Sequence, residues 1–533
     1  MKMRWVLAGM AALAAMPAHA QETPPESRGV VDVAPYIEVG QVVVAELSPD
    51  DEVLTYTELA AGIDASIQRK NVEGQVSYRY ERRIAWNDDF GDDEVHSGLA
   101  RAAVGVGRSL TIEGGALATR VRSGIGGQTP FDIAPRDDVT NLYALYAGPS
   151  FAERYGNLDV SAGYRFAYTK VEAPDAIEPG VDYYDDATIH VAQGSIGMGS
   201  RGSDLPFGWT ISGAYTREDA GQLDARYEGW FARGDVVVPL SPALAAVGGV
   251  GWEQIDVSQK APLLDEDGDP VIDDDGRFVT DPGSPRLVAY AEDALYWDVG
   301  VMWRPSPRTS LEARVGERYG SFSFTGSLQW QAGRRTALQI GVYDSVDSFG
   351  RRLTDDLAGL PTRFRSANNS FTGGFSGCVF GTGEGQAGGC LTNALAAIST
   401  ANYRVRGIDA VLSSGHGLWS YGVGAGYAHR DYYAPDLGPG VTVFGVEDES
   451  AYLQAYVDRR LSPNSSVDGQ FYATWYGSNF AQSDVFSTGA VGTYNYSFGR
   501  FDALGSLGIQ SFEQDGFEDS TVASARLGMR YNF

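Results

Sequence analysis

Apolar and polar residues alternate along most of this chain, beginning near residue 33. The segment 521–533 shows the pattern clearly, since Leu527 and Met529 fall on one side and Arg526 and Arg530 fall on the other. A β-strand places successive side chains on opposite faces. The alternation therefore predicts strands with one face suited to hydrocarbon and one face suited to water.

The same period of two recurs in about 22 segments. In 72–86, for example, Val76 and Tyr78 oppose Arg79 and Glu81. The predicted strands are 33–47, 53–68, 72–86, 96–108, 111–122, 139–151, 157–171, 186–200, 207–218, 223–240, 243–258, 289–304, 309–320, 321–332, 336–348, 403–415, 417–431, 449–462, 465–478, 484–498, 501–512 and 520–533. We therefore expect an all-β fold, a single transmembrane antiparallel β-barrel of about 22 strands, with 18–24 strands as the alternatives.

The connections between these segments alternate in length. Those at 107–109 and 240–242 are tight turns, whereas 123–138 and 172–185 are long and polar. Outer-membrane barrels have short periplasmic turns and longer extracellular loops. The alternation in length therefore predicts which end of the barrel faces outward.

The longest predicted loop, 349–402, carries both cysteines of the chain. Cys378 and Cys390 lie twelve positions apart without a CxxC spacing, so in an oxidising compartment we expect them to form one disulfide. The loop also contains the apolar run 394–398. Because a long structureless loop is unusual, we expect a compact cap or an inward fold into the barrel mouth.

A second long loop, 259–288, is acidic. Its carboxylates between Asp265 and Asp275 are hard oxygen ligands of the kind that Ca²⁺ prefers. Their spacing lacks the ligand order of a calcium-binding loop, so a solvated acidic loop is the favoured interpretation. We expect no metal and no cofactor.

The first twenty residues have the composition of a secretory signal peptide. Lys2 and Arg4 precede a short apolar run, and small residues lie at the end of 1–20. The polar segment 21–32 is predicted to be a flexible periplasmic leader, and 33–533 the barrel.

Composition agrees with a barrel and excludes one class of partner. Mean hydropathy is -0.21 and aromatic residues make up 12% of the chain, as expected where one half of each strand faces water and aromatic girdles lie at both interfaces. The net charge of -28 repels phosphate backbones, so nucleic acid is excluded as a partner.

A barrel of this size encloses a wide lumen. Alternation begins too soon after residue 20 to leave room for a separate N-terminal plug domain. The predicted inward residues that suit a sugar, because they offer flat rings beside a carboxylate, are Tyr452, Tyr456, Asp468, Tyr472 and Tyr476. The alternative is that these rings pack the wall or join an interface girdle.

Histidine chemistry is sparse, and no catalytic motif is present. His96, His190 and His416 are isolated, and His429 has only Asp431 nearby in sequence. No metalloprotease motif and no serine elbow occurs. We therefore expect that the protein is not an enzyme.

The end of the chain resembles the C-terminal signal of Gram-negative outer-membrane barrels, with Tyr531 and the final Phe533 on the apolar face. The resemblance implies location in the outer membrane, with outer-membrane lipid and the barrel-insertion machinery as partners. The alternative is an amphipathic edge strand of a soluble sheet.

The runs 303–311 and 316–320 resemble a family of porin-like outer-membrane barrels associated with PEP-CTERM/exosortase and exopolysaccharide systems. The resemblance implies a passive conduit or assembly partner in exopolysaccharide export, with polysaccharide and periplasmic export components as partners. A general diffusion porin is one alternative, and a structural or adhesin-like closed barrel is another.

Overall fold

The computed structural model describes residues 30–49, 52–86, 93–122, 139–172, 184–200, 205–273, 277–368, 371, 375–396, 398–436, 444–479, 484–516 and 518–533. The predicted signal peptide at 1–20 and the leader as far as residue 29 lie outside the described residues. Residues 30–32, which were predicted to belong to the leader, are already part of the first strand.

Twenty-two strands form one sheet that closes on itself. The first eleven are β1 (Val30–Ser48), β2 (Val53–Arg69), β3 (Val72–Ala85), β4 (Asp93–Val106), β5 (Leu110–Arg122), β6 (Val139–Tyr155), β7 (Leu158–Glu172), β8 (Asp186–Met198), β9 (Gly208–Ala220), β10 (Arg226–Pro239) and β11 (Leu244–Gln259). The other barrel strands are β12 (Leu287–Ser306), β13 (Thr309–Arg318), β14 (Ser321–Gln331), β15 (Thr336–Asp347), β19 (Asn402–His416), β20 (Trp419–Tyr433), β21 (Glu447–Ser462), β22 (Ser465–Ser478), β23 (Val485–Phe498), β24 (Phe501–Gln514) and β25 (Ser520–Asn532).

In the described residues, five smaller elements lie between β15 and β19, and a 3₁₀ turn, Gln222–Asp224, precedes β10. The five elements are α1 (Phe349–Gly359), β16 (Phe364–Asn368), β17 (Phe375–Gly381), β18 (Gly388–Cys390) and α2 (Thr392–Leu395). In the part of the chain that the structure describes, no helix has the length and apolar character needed to cross a membrane.

The first and last strands close the barrel. β1 pairs antiparallel with β25, with Tyr36 opposite Asn532, and every other barrel strand pairs with its neighbours in sequence except that β15 pairs with β19 across the five smaller elements. The predicted all-β fold, an antiparallel barrel of 22 strands, is confirmed.

Both described termini lie at one end of the barrel, which we call the terminal end, and the opposite end is the loop end. Most connections at the terminal end are tight turns. Four of them contain a glycine in the left-handed backbone region, which glycine adopts without steric cost: Gly107 (φ 75°), Gly156 (φ 62°), Gly417 (φ 61°) and Gly499 (φ 66°). The long connections lie at the loop end. Short connections occur at the loop end as well, and the shortest is the two-residue turn Tyr319–Gly320, which joins β13 and β14.

The two faces of the wall have the predicted character. On the outer face, Leu295 is 76% exposed and Leu527 is 74% exposed. On the inner face, Arg526 is only 5% exposed and Glu81 only 1%. Successive side chains of a strand point to opposite faces, so the apolar side chains point outward and the charged side chains point into the lumen.

The loop between β11 and β12 contains the predicted acidic turn. Asp265 accepts hydrogen bonds through Oδ1 from the backbone N–H groups of Asp267 and Asp269, both at 2.9 Å. Gly268 supplies the positive φ of this turn, 91°. The Asp265 carboxylate therefore stabilises the local backbone, and the distal acidic residues 274–275 lie outside the described residues.

Candidate functional site

The segment between β15 and β19 folds into the barrel lumen. We call residues 348–401 the insert. It contains α1, α2 and the small antiparallel sheet of β16, β17 and β18. The sequence predicted either a compact cap or an inward fold for this loop, and the structure has the inward fold.

Helix α1 anchors the insert on one side of the lumen. Ser348 begins the helix, and its Oγ accepts a hydrogen bond from Arg351 N at 3.2 Å. The apolar face of α1, including Leu353 and Leu357, is fully buried. Its partners on the inner wall are Leu99, Leu117, Val121, Leu142, Tyr146 and Ile189. Burial of each leucine stabilises the packed arrangement by about 1.5–3 kcal/mol.

The charged face of α1 is paired with the wall. The Arg351 guanidinium lies 3.3 Å from the centre of the Tyr227 ring and 3.5 Å from the Glu218 carboxylate. Arg352 donates to Asp409 on β19 at 3.1 Å. Removing one member of such a buried pair leaves an uncompensated charge, so these contacts fix the orientation of the helix.

The disulfide of the insert lies directly on the opposite wall. Cys378 and Cys390 are bonded at 2.04 Å and pair with each other across β17 and β18. A side chain at Gly424 on β20 would place its Cβ only 2.5 Å from Cys390 Sγ. At Gly422 the Cβ would lie 2.3 Å from the Phe380 ring. Alternate glycines on the inner face of β20 therefore allow the insert to approach the backbone.

The close contact between the insert and β20 was not predicted from the sequence, although the sequence contains a signal for it. Gly422, Gly424 and Gly426 alternate within β20 and so share one face. Glycine within a strand weakens the strand and often marks a close approach of another backbone or ligand. The pattern could have identified β20 as the contact strand.

The insert also contacts the remaining sides of the lumen. Phe371 packs in a cluster with Tyr56, and its carbonyl accepts a hydrogen bond from Tyr56 Oη at 3.1 Å. Gln75 on β3 forms a reciprocal pair with the backbone of Phe364, at 2.9 and 3.0 Å. Arg101 on β4 donates to two carbonyls near the end of α1. The insert therefore crosses the lumen and is held on opposing sides.

The predicted sugar contacts all lie on β21 and β22, on the inner face of the wall. They are Tyr452, Tyr456, Asp468, Tyr472 and Tyr476. Tyr456 lies beneath Phe380 of the insert, with ring centroids 4.6 Å apart, and Tyr472 packs in a cluster with Phe371. The insert covers both aromatic faces.

The other predicted contacts form hydrogen bonds within the wall. Tyr452 Oη donates to Asp409 at 2.9 Å, and Tyr476 Oη donates to Asp448 at 3.1 Å. Asp468 accepts a hydrogen bond from Asn495 Nδ2 at 2.9 Å. These hydrogen bonds link side chains of nearby wall strands.

The inner wall also carries ion-pair networks that do not involve the insert. Arg526 on β25 pairs with Glu38 and Glu58, and Arg314 on β13 pairs with Asp235 and Asp298. Arg526 and Glu38 lie 488 residues apart in sequence and Arg314 and Asp235 lie 79 apart, whereas Asp298 belongs to the strand next to that of Arg314. The lumen is therefore lined by fixed polar groups as well as by the insert.

The sequence His429-Arg430-Asp431 is divided between the two faces of β20. Arg430 points inward, where it pairs with Asp448 at 2.5 Å and donates to the carbonyl of Asn393 in the insert. His429 and Asp431 point outward, with Nε2 and Oδ1 3.2 Å apart. A ligand atom of Glu447 lies within 4.8 Å of both. Asp431 already forms an ion pair with Arg406 at 2.9 Å, so ion pairing accounts for the closeness of these three side chains.

We expect closure of the lumen to depend on pH through Asp356 of α1, which lies outside the barrel strands. Burial raises the pKa of this carboxyl to about 7, although Arg352 lies 3.0 Å away. Asp409 and Asp347 add repulsion. Because the buried carboxyl binds its proton more tightly than an unfolded one, stability of the docked insert is lost as pH rises from 3.8 to about 7.

In planar bilayers, current through the barrel should accordingly be higher at about pH 8 than at about pH 5. Asp356→Asn should reduce this difference, because the amide does not titrate. An equal pH dependence in Asp356→Asn would contradict the assignment.

No family model matches the chain, and no curated protein matches it. Solved structures similar to the chain include the siderophore receptor PiuA from Acinetobacter baumannii, at 10% identity and a TM-score of 0.42, covering 93% of this chain and 82% of that chain. The FrpB iron transporter from Neisseria meningitidis is 10% identical with a TM-score of 0.42, covering 94% and 83%. FpvA from P. aeruginosa, bound to heterologous pyoverdines, is 9% identical with a TM-score of 0.44, covering 94% and 72%. These values carry no argument about the function of this chain.

Proposed function

We propose that the protein is an outer-membrane channel that its own insert closes, and that its cargo is an extracellular polysaccharide. The observation that carries the proposal is the position of the insert, which covers a polar, tyrosine-bearing inner wall while remaining tethered at both ends. A tethered segment can move aside and return without being lost. The insert therefore has the properties required of a gate.

The outer surface supports placement in a membrane. Tryptophans with exposed rings lie near both ends of the strands, with Trp303 and Trp330 toward the terminal end and Trp86 and Trp230 toward the loop end. Indole rings concentrate at the two interfaces of membrane barrels. Together with the long connections at the loop end, they favour an outer-membrane barrel whose termini are periplasmic.

The contacts of the insert support a polysaccharide as cargo. Phe380 covers Tyr456, and Phe371 packs against Tyr472, so movement of the insert frees the aromatic faces of both tyrosines. Sugars offer C–H faces that stack on such rings, and hydroxyl groups that bind to nearby carboxylates such as Asp468. The phenylalanines of the insert occupy the places that sugar rings would take.

One further observation favours a different function. The buried apolar face of α1 holds the insert firmly, as expected for a permanently closed structural barrel. A general diffusion porin receives less support, because such a porin needs an open lumen. Deletion of the insert, described in the Discussion, separates these functions.

The proposal predicts a one-sided block by exopolysaccharide fragments. In planar bilayers, fragments from the host's own polymer should interrupt the current of channels that have opened. Tyr456→Ala combined with Tyr472→Ala should weaken this block about tenfold, because stacking on each ring contributes on the order of 0.5–1.5 kcal/mol.

Tyr494→Ala is the matched control, since Tyr494 is 47% exposed on the outer face of β23 and should leave the block unchanged. A block of equal strength in the double variant would refute the role of these tyrosines. Open channels indifferent to every fragment would instead favour a diffusion porin.

A further inference from the structure

The barrel wall is incompletely paired at one junction. β14 and β15 share only six residue pairs, from Gly326 opposite Val342 to Gln331 opposite Ala337, whereas β1 and β2 share sixteen. Toward the loop end of this junction, residues 321–325 of β14 and 343–347 of β15 form no ladder with each other. We call the gap between these two segments the wedge.

The wedge arises from the short hairpin of β13 and β14. These strands have 10 and 11 residues and end at the turn Tyr319–Gly320, whereas β12 has 20 residues. A membrane strand needs about 9–11 residues, so the hairpin is only long enough to cross the hydrocarbon layer. β12 pairs with β13 only from Trp297 onward, so its half toward the loop end also lacks this partner.

Side chains fill the wedge in place of backbone pairs. Arg404 on β19 binds Asp344 through two hydrogen bonds of 2.9 and 2.8 Å. It also donates to Ser321 Oγ on β14, at 2.7 Å. Toward the loop end, Tyr290 of β12 stacks on Tyr433 of β20, with ring centroids 4.2 Å apart.

The end of β15 leans inward at the wedge. Val346 packs in one cluster with inward residues of two other strands, Tyr227 and Phe231 of β10 and Ile255 of β11. The inner face of β10–β12 therefore overlaps the end of β15. Separating the two would disrupt side-chain packing and side-chain hydrogen bonds, without breaking any β14–β15 backbone pair.

The membrane side of the wedge is strongly apolar. Phe322 is 72% exposed and Phe324 is 60% exposed on the outer face of β14, beside the unpaired segment. Unpaired strand edges cannot face acyl chains without a partner for their N–H and C=O groups. A molecule with a polar head and an apolar tail would suit the wedge. Its head could pair with the N–H and C=O groups of the strand edges, and its tail could cover the two phenylalanines.

We propose that the wedge is a lateral port that admits an amphiphile of the adjoining leaflet, with its polar head at Arg404 and Ser321 and its acyl chain on Phe322 and Phe324. The port leads through the wall, whereas the proposed channel leads along the barrel axis. The inference therefore goes beyond the proposed function and requires only that the barrel lies in a membrane.

Quenching by lipid tests the proposal. The described residues contain no free cysteine, so a bimane label on Ser323→Cys would report on the inner face of β14 at the wedge. Ser524→Cys on β25 is the matched control, since the two serines are 8% and 9% exposed and β25 is paired along both edges. Vesicles containing brominated phosphatidylcholine should quench the Ser323 label at least about twofold more than the Ser524 label, because the backbone ladder is interrupted beside Ser323 and continuous on both sides of Ser524.

Two variants sharpen the result. Tyr290→Ala removes the stack on Tyr433 and should increase quenching at the wedge, whereas Tyr494→Ala should not. Each labelled variant is first checked for the folded, heat-modifiable band on gels. Equal quenching of the Ser323 and Ser524 labels would overturn the proposal, whatever the axial conductance, so its failure is distinguishable from failure of the proposed channel.

Discussion

Replacement of residues 349–401 by a short Gly-Ser linker is expected to raise single-channel conductance about tenfold or more, because a barrel of 22 strands without its insert encloses a wide aqueous lumen. Asp347 and Tyr403 are paired neighbours on β15 and β19, so a short linker can join the strands without strain. Water would then solvate the inner-wall charges that the insert now contacts. Conductance of the refolded variant in planar bilayers is the measurement.

A deletion in the other long loop is the control. Residues 262–280 can be removed between Ala261 and Asp281, whose backbone groups already form a hydrogen bond of 3.0 Å. This variant should conduct like the parent protein. If the barrel without its insert stays closed, the gate is refuted and a structural barrel is favoured. If the parent already conducts as much as the deletion variant, the diffusion porin is favoured.

The second large effect is expected from Gly424→Val. A Cβ at this position would lie 2.5 Å from Cys390 Sγ and 2.6 Å from Cys378 Sγ, closer than such atoms approach. The disulfide is held in the insert, which cannot shift toward the wall, so the β17–β18 hairpin must lift from β20. We expect openings at a conductance approaching that of the deletion variant, with the barrel itself still folded.

Gly341→Val is the matched control. Gly341 lies on β15 opposite the inward Asp409, and a Cβ there meets no atom within 4 Å. The same substitution should therefore leave the conductance at the level of the parent protein. Equal conductance in Gly424→Val and Gly341→Val would show that the insert does not depend on its contact with β20.

The sequence by itself determined the wall. Each barrel strand has one face on the outside of the barrel and the other on the lumen, so every second residue is under the same requirement and the pattern can be read locally. For this reason the alternation of Leu527 and Met529 against Arg526 predicted the faces correctly. The predicted number of strands, 22, was also correct.

The sequence determined less about the lumen. The cysteines and the apolar run 394–398 predicted a compact loop, yet they could not tell a cap from an inward fold. The tyrosines of β21 and β22 were predicted to lie on the inner face, but the phenylalanines of the insert that pack on them were not predicted. Phe380 and Tyr456 are separated in sequence by the last part of the insert and by two barrel strands, β19 and β20, and nothing local links them.

Only the tertiary structure decided where the insert docks and where the wall fails to pair. Docking depends on the shape of β20, where missing side chains leave space, and on charges such as Arg352 and Asp409 that meet across the fold. The wedge depends on the length of a ladder between two strands, which follows from the register of the whole sheet. Local alternation fixes the face of a residue but not how far its strand remains paired.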